Sequence, residues 1–504
     1  MTAIPSSSNL PHPLSGQKIS RDAYDLIWSL PKVLLHEHFS GSSDLFELAR
    51  LAQLYIDQGL GDYLDWIDPG TKEYARITIK RLREDMEARA YFLSPEHLAR
   101  LYRFANPPER HEIFVERSHL KEDGSLAISE DILKAKIENL RVLGLASYRA
   151  TSSRINRLVK NESVVYNLAS AFARQLAYEN VLYAECRVSP LSYHCESMET
   201  LIHRISLGLK LGQAEAANNF KSIQTGILLV IERHFENNTQ IGIQIAREAI
   251  QLRKKGYPIV GIDVAGGDEW NYPIGLFAPA FDIIKNYNED PDTPEDMRIG
   301  ITIHAGEVIK PDVLSAEESV RIPIELAWSP RTPVRIGHGI QIINTSKILM
   351  DAFNEFLKDP EKWQNRFSYK DIFQQSPLLK FVMEKGIVFE MCPKSNVQTF
   401  AVPYHELHPA VFLSRLGLKL SLSSDNRLIS NSNSANEFVK LFKYSKANYR
   451  DMKRMILAGF DGAFIMNPTQ KTLLIAKAKE QFSEIEKSHP QKILDRSLGT
   501  NNIK

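Results

Sequence analysis

Leu30-Pro31-Lys32-Val33-Leu34-Leu35-His36-Glu37-His38-Phe39-Ser40-Gly41 is a short apolar run that closes on a His-x-His pair. Along a strand, side chains alternate between faces, so His36 and His38, two apart, point the same way. Two imidazoles converging from one strand end suit a divalent metal. Further β-rich runs follow at Val181–Arg187, Gln224–Ile231, Ile259–Val264, Ile301–His304, Arg335–His338, Ile387–Met391 and Lys419–Ser423. With Lys32–His36 these make eight, most of them nearly continuously apolar, as expected of strands buried on both faces. Helical spacing with polar faces lies between them at Ser163–Tyr178, Met198–Asn218 and Asn238–Lys255, and again after the last at Ala435–Tyr444. Eight strands alternating with helices predict an α/β fold, a (β/α)8 TIM barrel. The alternative, an open doubly wound sheet, is weakened because no Gly-x-Gly-x-x-Gly follows any strand.

The spacing is uneven. From about residue 42 to 160 the chain is far too long for one strand-to-helix connection, which predicts a long, largely helical insertion after strand one at the mouth of the barrel. It holds a helical pattern (Thr71–Ala90), an aromatic and basic patch (Tyr91–Phe104) and a charged turn (Lys121–Ser125). A shorter insertion is expected at about 344–376, and extra C-terminal helices over Ser434–Lys487. The expected organisation is one domain, 21–490, between a flexible N-terminal tail, 1–20, and a C-terminal tail, 491–504.

Bulk properties narrow the function classes. The 504 residues are 43% apolar and 24% charged, ordinary globular values that allow a large core. Lys and Arg total 62 against 61 acidic residues, a net charge of +1, so no global field argues for nucleic acid or membrane as a partner. Cys186, Cys195 and Cys392 form no Cys-x-x-Cys, which argues against both a disulfide framework and a structural zinc ribbon. The Ser/Pro-rich start lacks the basic and apolar regions of a signal peptide, and no apolar run reaches the roughly 18 residues of a membrane span. A cytoplasmic protein of a reducing compartment is expected; the oligomeric state is not legible.

In such a barrel, functional groups sit at the C-terminal strand ends. His36 and His38 end or follow strand one, His304 ends strand five, His338 ends strand six, and Asp425 follows strand eight. Imidazoles plus one carboxylate make a usual zinc set with a position left for water. Glu307, in His304-Ala305-Gly306-Glu307, is placed to face the same pocket as a general acid. Its competing role is a carboxylate at a helix start, favoured by the macrodipole. The glycines flanking His338 permit close approach of a ligand, and Gly266, after strand four, offers a backbone N–H.

At these residues the sequence resembles the adenosine deaminase family of the metal-dependent amidohydrolases. The matching blocks are Leu30–His38, Glu185–Pro190, Gly261–Gly266, Ile303–Glu307, Arg335–Gly339, Cys392–Asn396 and Ser421–Asp425, in family order. The resemblance implies one Zn2+ per chain held by His36, His38, His304 and Asp425. It implies Glu307 protonating purine N1, His338 taking or orienting the proton of the attacking water, and Asp425 bonding that water. Gly266 N–H would bind N3. The substrate would be a purine nucleoside, adenosine or 2′-deoxyadenosine, giving inosine and ammonia in purine salvage. The chain departs from the family twice. Asn426 stands where a second aspartate usually contacts N7, and its amide can donate to that acceptor. Ser40 stands where an aspartate usually reaches the ribose 5′-hydroxyl, so sugar recognition is open. The alternatives are another 6-aminopurine substrate, adenine or a modified adenosine, and a catalytically silent deaminase-like binding protein. A binuclear amidohydrolase would need a lysine after strand four, and none lies between Ile259 and Trp270.

Overall fold

A computed structural model describes residues 21–42 and 162–489, apart from 194, 220, 234–236, 267–268, 309–311, 400, 404 and 431. The expected first insertion, with its helix, aromatic patch and charged turn, and both tails lie outside the described residues.

Eight parallel strands follow one another around the barrel in sequence order. They are β1 (Lys32–His38), β2 (Val181–Val188), β3 (Gln224–Glu232), β4 (Ile259–Ala265), β5 (Gly300–Ala305), β6 (Val334–His338), β7 (Val388–Met391) and β8 (Lys419–Leu422). Each strand expected from the sequence is present, with ends shifted by no more than two residues. The shift matters at β1, which runs on through His38 and so carries both histidines on the strand itself. β2 and β4 are buried at every position, because helices cover the sheet outside and side chains fill it inside.

The helices read as amphipathic stripes. In Lys347–Lys358, Leu349, Ala352, Phe353 and Phe356 are buried at helical spacing. The helix Ala316–Ala327 begins with a full capping box, Ser315 with Glu318, which satisfies two otherwise orphaned donors. The segment near 344–376 is itself largely helical and docks through Trp363, whose ring lies 5.1 Å from that of Phe412. Three helices, Ser434–Tyr444, Tyr449–Gly462 and Pro468–Ser488, complete the C-terminal part as expected.

Two features position the site. The first is the seam between β8 and β1, which share no regular ladder. It is joined by the single bridge Glu37–Asp425 and by side chains standing in for strand backbone. His38 N–H donates to Asp425 O (2.8 Å) and Asp425 N–H to His36 O (3.0 Å). The Ser423 hydroxyl accepts from the N–H groups of Leu35 and His36, and the Glu37 carboxylate accepts from Ser424 N–H at 2.7 Å. The second is a layer of charge inside the barrel. Arg187 pairs with Asp263 (2.8 Å) and Glu390, while Arg335 pairs with Glu390 (2.5 Å) and Glu185. All five are essentially solvent-free, so each charge depends on its partner for the hydration it has lost. At the base of β1, Lys32 is equally buried and donates to the carbonyls of Trp28 (2.7 Å), Leu30 and Glu179 (both 2.9 Å).

Candidate active site

Above the charged layer, the strand ends bring His36, His38, His304 and Asp425 together, with one ligand-type atom from each lying within 4.8 Å of the others. These are four residues from β1, β5 and the turn after β8, and the sequence pattern had singled out all four. Two local facts orient the imidazoles. Glu390 Oε2 lies 2.9 Å from His36 Nδ1, and Asp263 Oδ1 lies 3.1 Å from His304 Nδ1. A carboxylate there holds the proton on Nδ1, which turns the Nε2 lone pair toward the centre. His36 Nε2 is buried with no hydrogen-bond partner, and the Nε2 atoms of His38 and His304 approach to 3.1 Å. Three nitrogen donors and one oxygen, with an orphaned lone pair among them, fit a divalent ion such as zinc. Desolvation, then the neighbouring charges, holds His36 and His38 well below the usual imidazole range, so both are neutral, as metal ligands must be.

Asp425 has a left-handed backbone (φ 63°), and its carboxylate is held from both sides. Ser395 Oγ donates to Oδ2 at 2.6 Å and Asn426 Nδ2 to Oδ1 at 2.8 Å. The turn is packed tightly: a Cβ on Gly41 would lie 1.6 Å from Asn426 Oδ1, so only glycine fits there.

Glu307 sits in a bend after β5, and among the described residues the next helix starts at Ala316, so it does not begin a helix. Its Oε1 accepts from Thr399 Oγ1 at 2.8 Å, and its Oε2 lies 3.6 Å from His338 Nε2. Burial raises its pKa above the ordinary carboxylate value, against the pull of Thr399 and nearby cations. A shift in that direction favours the protonated form that a general acid requires. Behind it, Glu269 accepts from the backbone N–H groups of Gly306 and Glu307, tying the loop after β4 to the loop after β5.

His338 also has a left-handed backbone (φ 64°) and is buried. Desolvation pulls it down to about 3. Asn396 Nδ2 lies 3.0 Å from its Nδ1, while Asn396 Oδ1 accepts from Cys392 N–H. The amide therefore donates to Nδ1, and the proton of the neutral ring stands on Nε2, facing Glu307.

Gly266 (φ 67°) follows β4 at the same end of the barrel. Ser40 is buried in the turn after β1, where it shares a hydrogen bond with the Tyr193 hydroxyl. Arg427, the basic residue beside the site in sequence, turns away into a buried ion pair with Glu179, which also accepts from Ser434.

Sequence reasoning gave no role to Asp263, Glu269, Glu390, Ser395, Asn396 or Thr399. For Asp263 and Glu390 a signal existed: each is a lone acid within an apolar strand buried on both faces, and such an acid must be paired. Ser395 and Asn396, on the short helix Pro393–Gln398, stand in the matching block Cys392–Asn396 but were given no role, and Thr399, at the end of that helix, lies outside any matching block.

Comparison with known proteins agrees with this geometry. A family model described as adenosine deaminase matches residues 120–479. The chain belongs to the adenosine deaminase family. It is accordingly a hydrolase acting on C–N bonds of cyclic amidines. Adenosine deaminase 1 of Streptomyces coelicolor is 27% identical over 346 residues, covering 68% of this chain and 75% of that protein. Among solved structures, Arabidopsis ADAL complexed with IMP superposes with a TM-score of 0.57 at 18% identity, over 91% of this chain and 99% of its own. A Burkholderia ambifaria amidohydrolase with bound Zn also gives 0.57 at 18% identity, over 95% and 98%. The family match starts at residue 120, so His36 and His38 precede it, and it is the barrel that returns them to the centre. Among the described residues, no helix is long and apolar enough to cross a membrane.

Proposed function

We propose that this family member holds one zinc ion through His36, His38, His304 and Asp425 and hydrolyses adenosine and 2′-deoxyadenosine to the 6-oxopurine nucleosides and ammonia. The observation that carries the reading is the four-residue cluster with Glu307 and His338 beside it. When bound, zinc supplies the acidification of water that makes hydroxide available near neutral pH.

The remaining work falls to the chain. Glu307, whose protonated form burial favours, gives its proton to purine N1 and so makes C6 electrophilic. His338, with its proton on Nε2, donates to the incoming oxygen and orients it. Of the two roles the resemblance allowed, orientation is the one that the Asn396 contact favours. Asp425, with Ser395 and Asn426 fixing its carboxylate, is the acceptor for the proton that the water gives up. Oxygen adds to C6, and Asp425 passes the proton it took from water to the departing amino group, which leaves as ammonia. The hydroxyl formed at C6 returns a proton to Glu307, leaving the 6-oxopurine. Gly266 N–H and the Asn426 amide are assigned to purine N3 and N7.

A second reading, another 6-aminopurine substrate such as adenine or a modified adenosine, is favoured by Ser40. The family's charged ribose contact is absent there, and the serine hydroxyl is already engaged with Tyr193. A 5′-phosphate gains no support from Arg427, which is taken up by Glu179. Steady-state kinetics on adenosine, 2′-deoxyadenosine, adenine, N6-methyladenosine and AMP, alongside metal analysis, test the proposal. Adenosine and 2′-deoxyadenosine should give the highest kcat/KM with one zinc per chain. Protein that lacks metal as purified and turns over none of the five would refute it, and adenosine ranking last would hand the substrate to the second reading.

A further inference from the structure

The opposite end of the barrel, where β6, β7 and β8 begin, encloses a cavity of about 460 Å³. Val334, Val388 and Lys419, the first residues of those strands, stand in its wall, as do the turn Ser329–Thr332 and the segment Asp461–Met466. The ion pairs of Arg335 with Glu390 and Glu185 lie between this cavity and the histidine cluster, so it is distinct from the site above.

Its charge is uneven. Six cationic side chains line it, against Glu295 and Asp461. Three of the six are neutralised: Arg335 by Glu185 and Glu390, Arg331 by Glu289, and Lys419 by Asp461. Arg298, Lys385 and Lys471 have no carboxylate within ion-pair distance among the described residues. Lys385 Nζ lies 3.5 Å from the centroid of the Trp328 ring, which also lines the cavity. Lys471 Nζ has only the carbonyls of Asp461 (2.5 Å) and Ala463 (3.2 Å). Arg298 Nε is buried with no hydrogen-bond partner. All three residues are half-buried, so they have given up part of their hydration without a direct ion pair; Asp461 and Glu185 act on Lys471, and Glu289 on Arg298, only at longer range. Burial holds Lys471 below the ordinary lysine value, with Asp461 and Glu185 opposing and the neighbouring Arg335 and Lys419 reinforcing the shift.

With Glu295 counted against them, these three leave an excess of about two positive charges. A phosphate monoester carries about −1.5 to −2 near neutral pH, and its oxygens accept charge-assisted hydrogen bonds. The volume falls in the range of small-molecule sites, about 300–1,000 Å³, and the Trp328 and Phe464 walls suit a compact organic group. We propose that this cavity at the N-terminal mouth of the barrel binds a small organic phosphate ester, its negative charge met by Arg298, Lys385 and Lys471.

Isothermal titration of the metal-loaded full chain with phenyl phosphate at low ionic strength tests this. One-site binding is expected, weakening as salt is raised. Lys385→Gln and Lys471→Gln should each weaken it about tenfold or more, since each removes a charged donor. Thermal unfolding of the unliganded variants reports whether each is folded, and either one alone decides the question. The titration is repeated after chelation, because phosphate can also meet a metal ion at the other end of the barrel; binding there would disappear with the metal, and binding here would persist. Absence of binding at millimolar concentrations, undiminished binding by the folded variants, or binding lost on chelation would each overturn the proposal.

Discussion

Replacing Asp263 by Asn tests whether the buried charge under the site serves the metal or only the fold. Asp263 has two donors and no spare acceptor: His304 Nδ1 at 3.1 Å on one oxygen and Arg187 Nε at 2.8 Å on the other. Burial opposes its ionisation, yet His304 and Arg187 hold its carboxyl well below the usual range. An asparagine of the same shape has only one oxygen. If that oxygen stays on Arg187, the amide N–H2 faces His304 Nδ1 and forces the ring proton onto Nε2, the atom aimed at the centre. If it stays on His304, the Arg187 Nε–H loses its acceptor, a buried deficit of about 1–3 kcal/mol. Either way the ligand geometry is weakened, and outer-shell partners of this kind contribute about 10–100-fold to metal affinity, roughly 1.4–2.7 kcal/mol. The assay is competition for zinc with a chromophoric chelator, paired with urea unfolding of the metal-free protein. A variant with weakened zinc binding at every chelator concentration is expected. Unchanged zinc affinity in a protein whose metal-free fold has lost stability would show that Asp263 is merely the counter-ion of Arg187, and would refute the reasoning.

Three further outcomes are expected. Glu307→Gln keeps the size of the side chain but cannot deliver a proton, so kcat on the best aminopurine substrate should fall about 10²–10⁴-fold with zinc content unchanged, measured by steady-state kinetics and metal analysis. Arg427→Gln leaves Glu179 buried without its cation and should cost about 3–5 kcal/mol in urea unfolding. The two hydrogen bonds from Ser434 to Glu179 place the cost toward the lower end. Lys32 should make stability depend on pH. Burial, only partly opposed by Glu179, pulls its ammonium down to about 7, against about 10.4 in an unfolded chain. Between those values the unfolded chain binds more protons, so stability rises with pH; below about 7 the full cost of the buried charge is felt. Relative to Lys32→Met, the wild type should gain up to about 1.4 kcal/mol per pH unit above pH 7 in urea unfolding, and a flat difference would show that the three carbonyls keep Lys32 charged.

The fold was legible because each strand is a compact apolar run and each helix a stripe, patterns that depend only on local burial. His36, His38, His304, His338 and Asp425 were legible because the barrel gives one rule for where function lies, and they all obey it. Asp263 and Glu390 were visible as anomalies, acids in apolar strands, but their partners come from β1, β2, β5 and β6, and no local pattern names them. Thr399 was silent, and Asn396 stood in a matching block without a role, for the same reason: their contacts with Glu307 and His338 exist only once the loops after β5, β6 and β7 lie side by side. The orientation of Arg427 was equally hidden. It adjoins Asp425 and Asn426 in sequence, yet it pairs with Glu179, 248 positions away in the chain.

The seam between β8 and β1 gives the site a mechanical meaning. His36 and Ser423 meet there across 387 positions of chain, a closure whose entropic cost is about 5 kcal/mol for a flexible loop of that length. No regular ladder holds this junction, and the residue that bridges it, Asp425, is also the one that faces the histidines. An ion gripped by both sides would act as the clasp of a ring. Its loss would leave the seam to the hydrogen bonds of Asp425, Ser423 and Glu37, so the ion would serve closure of the barrel as well as chemistry.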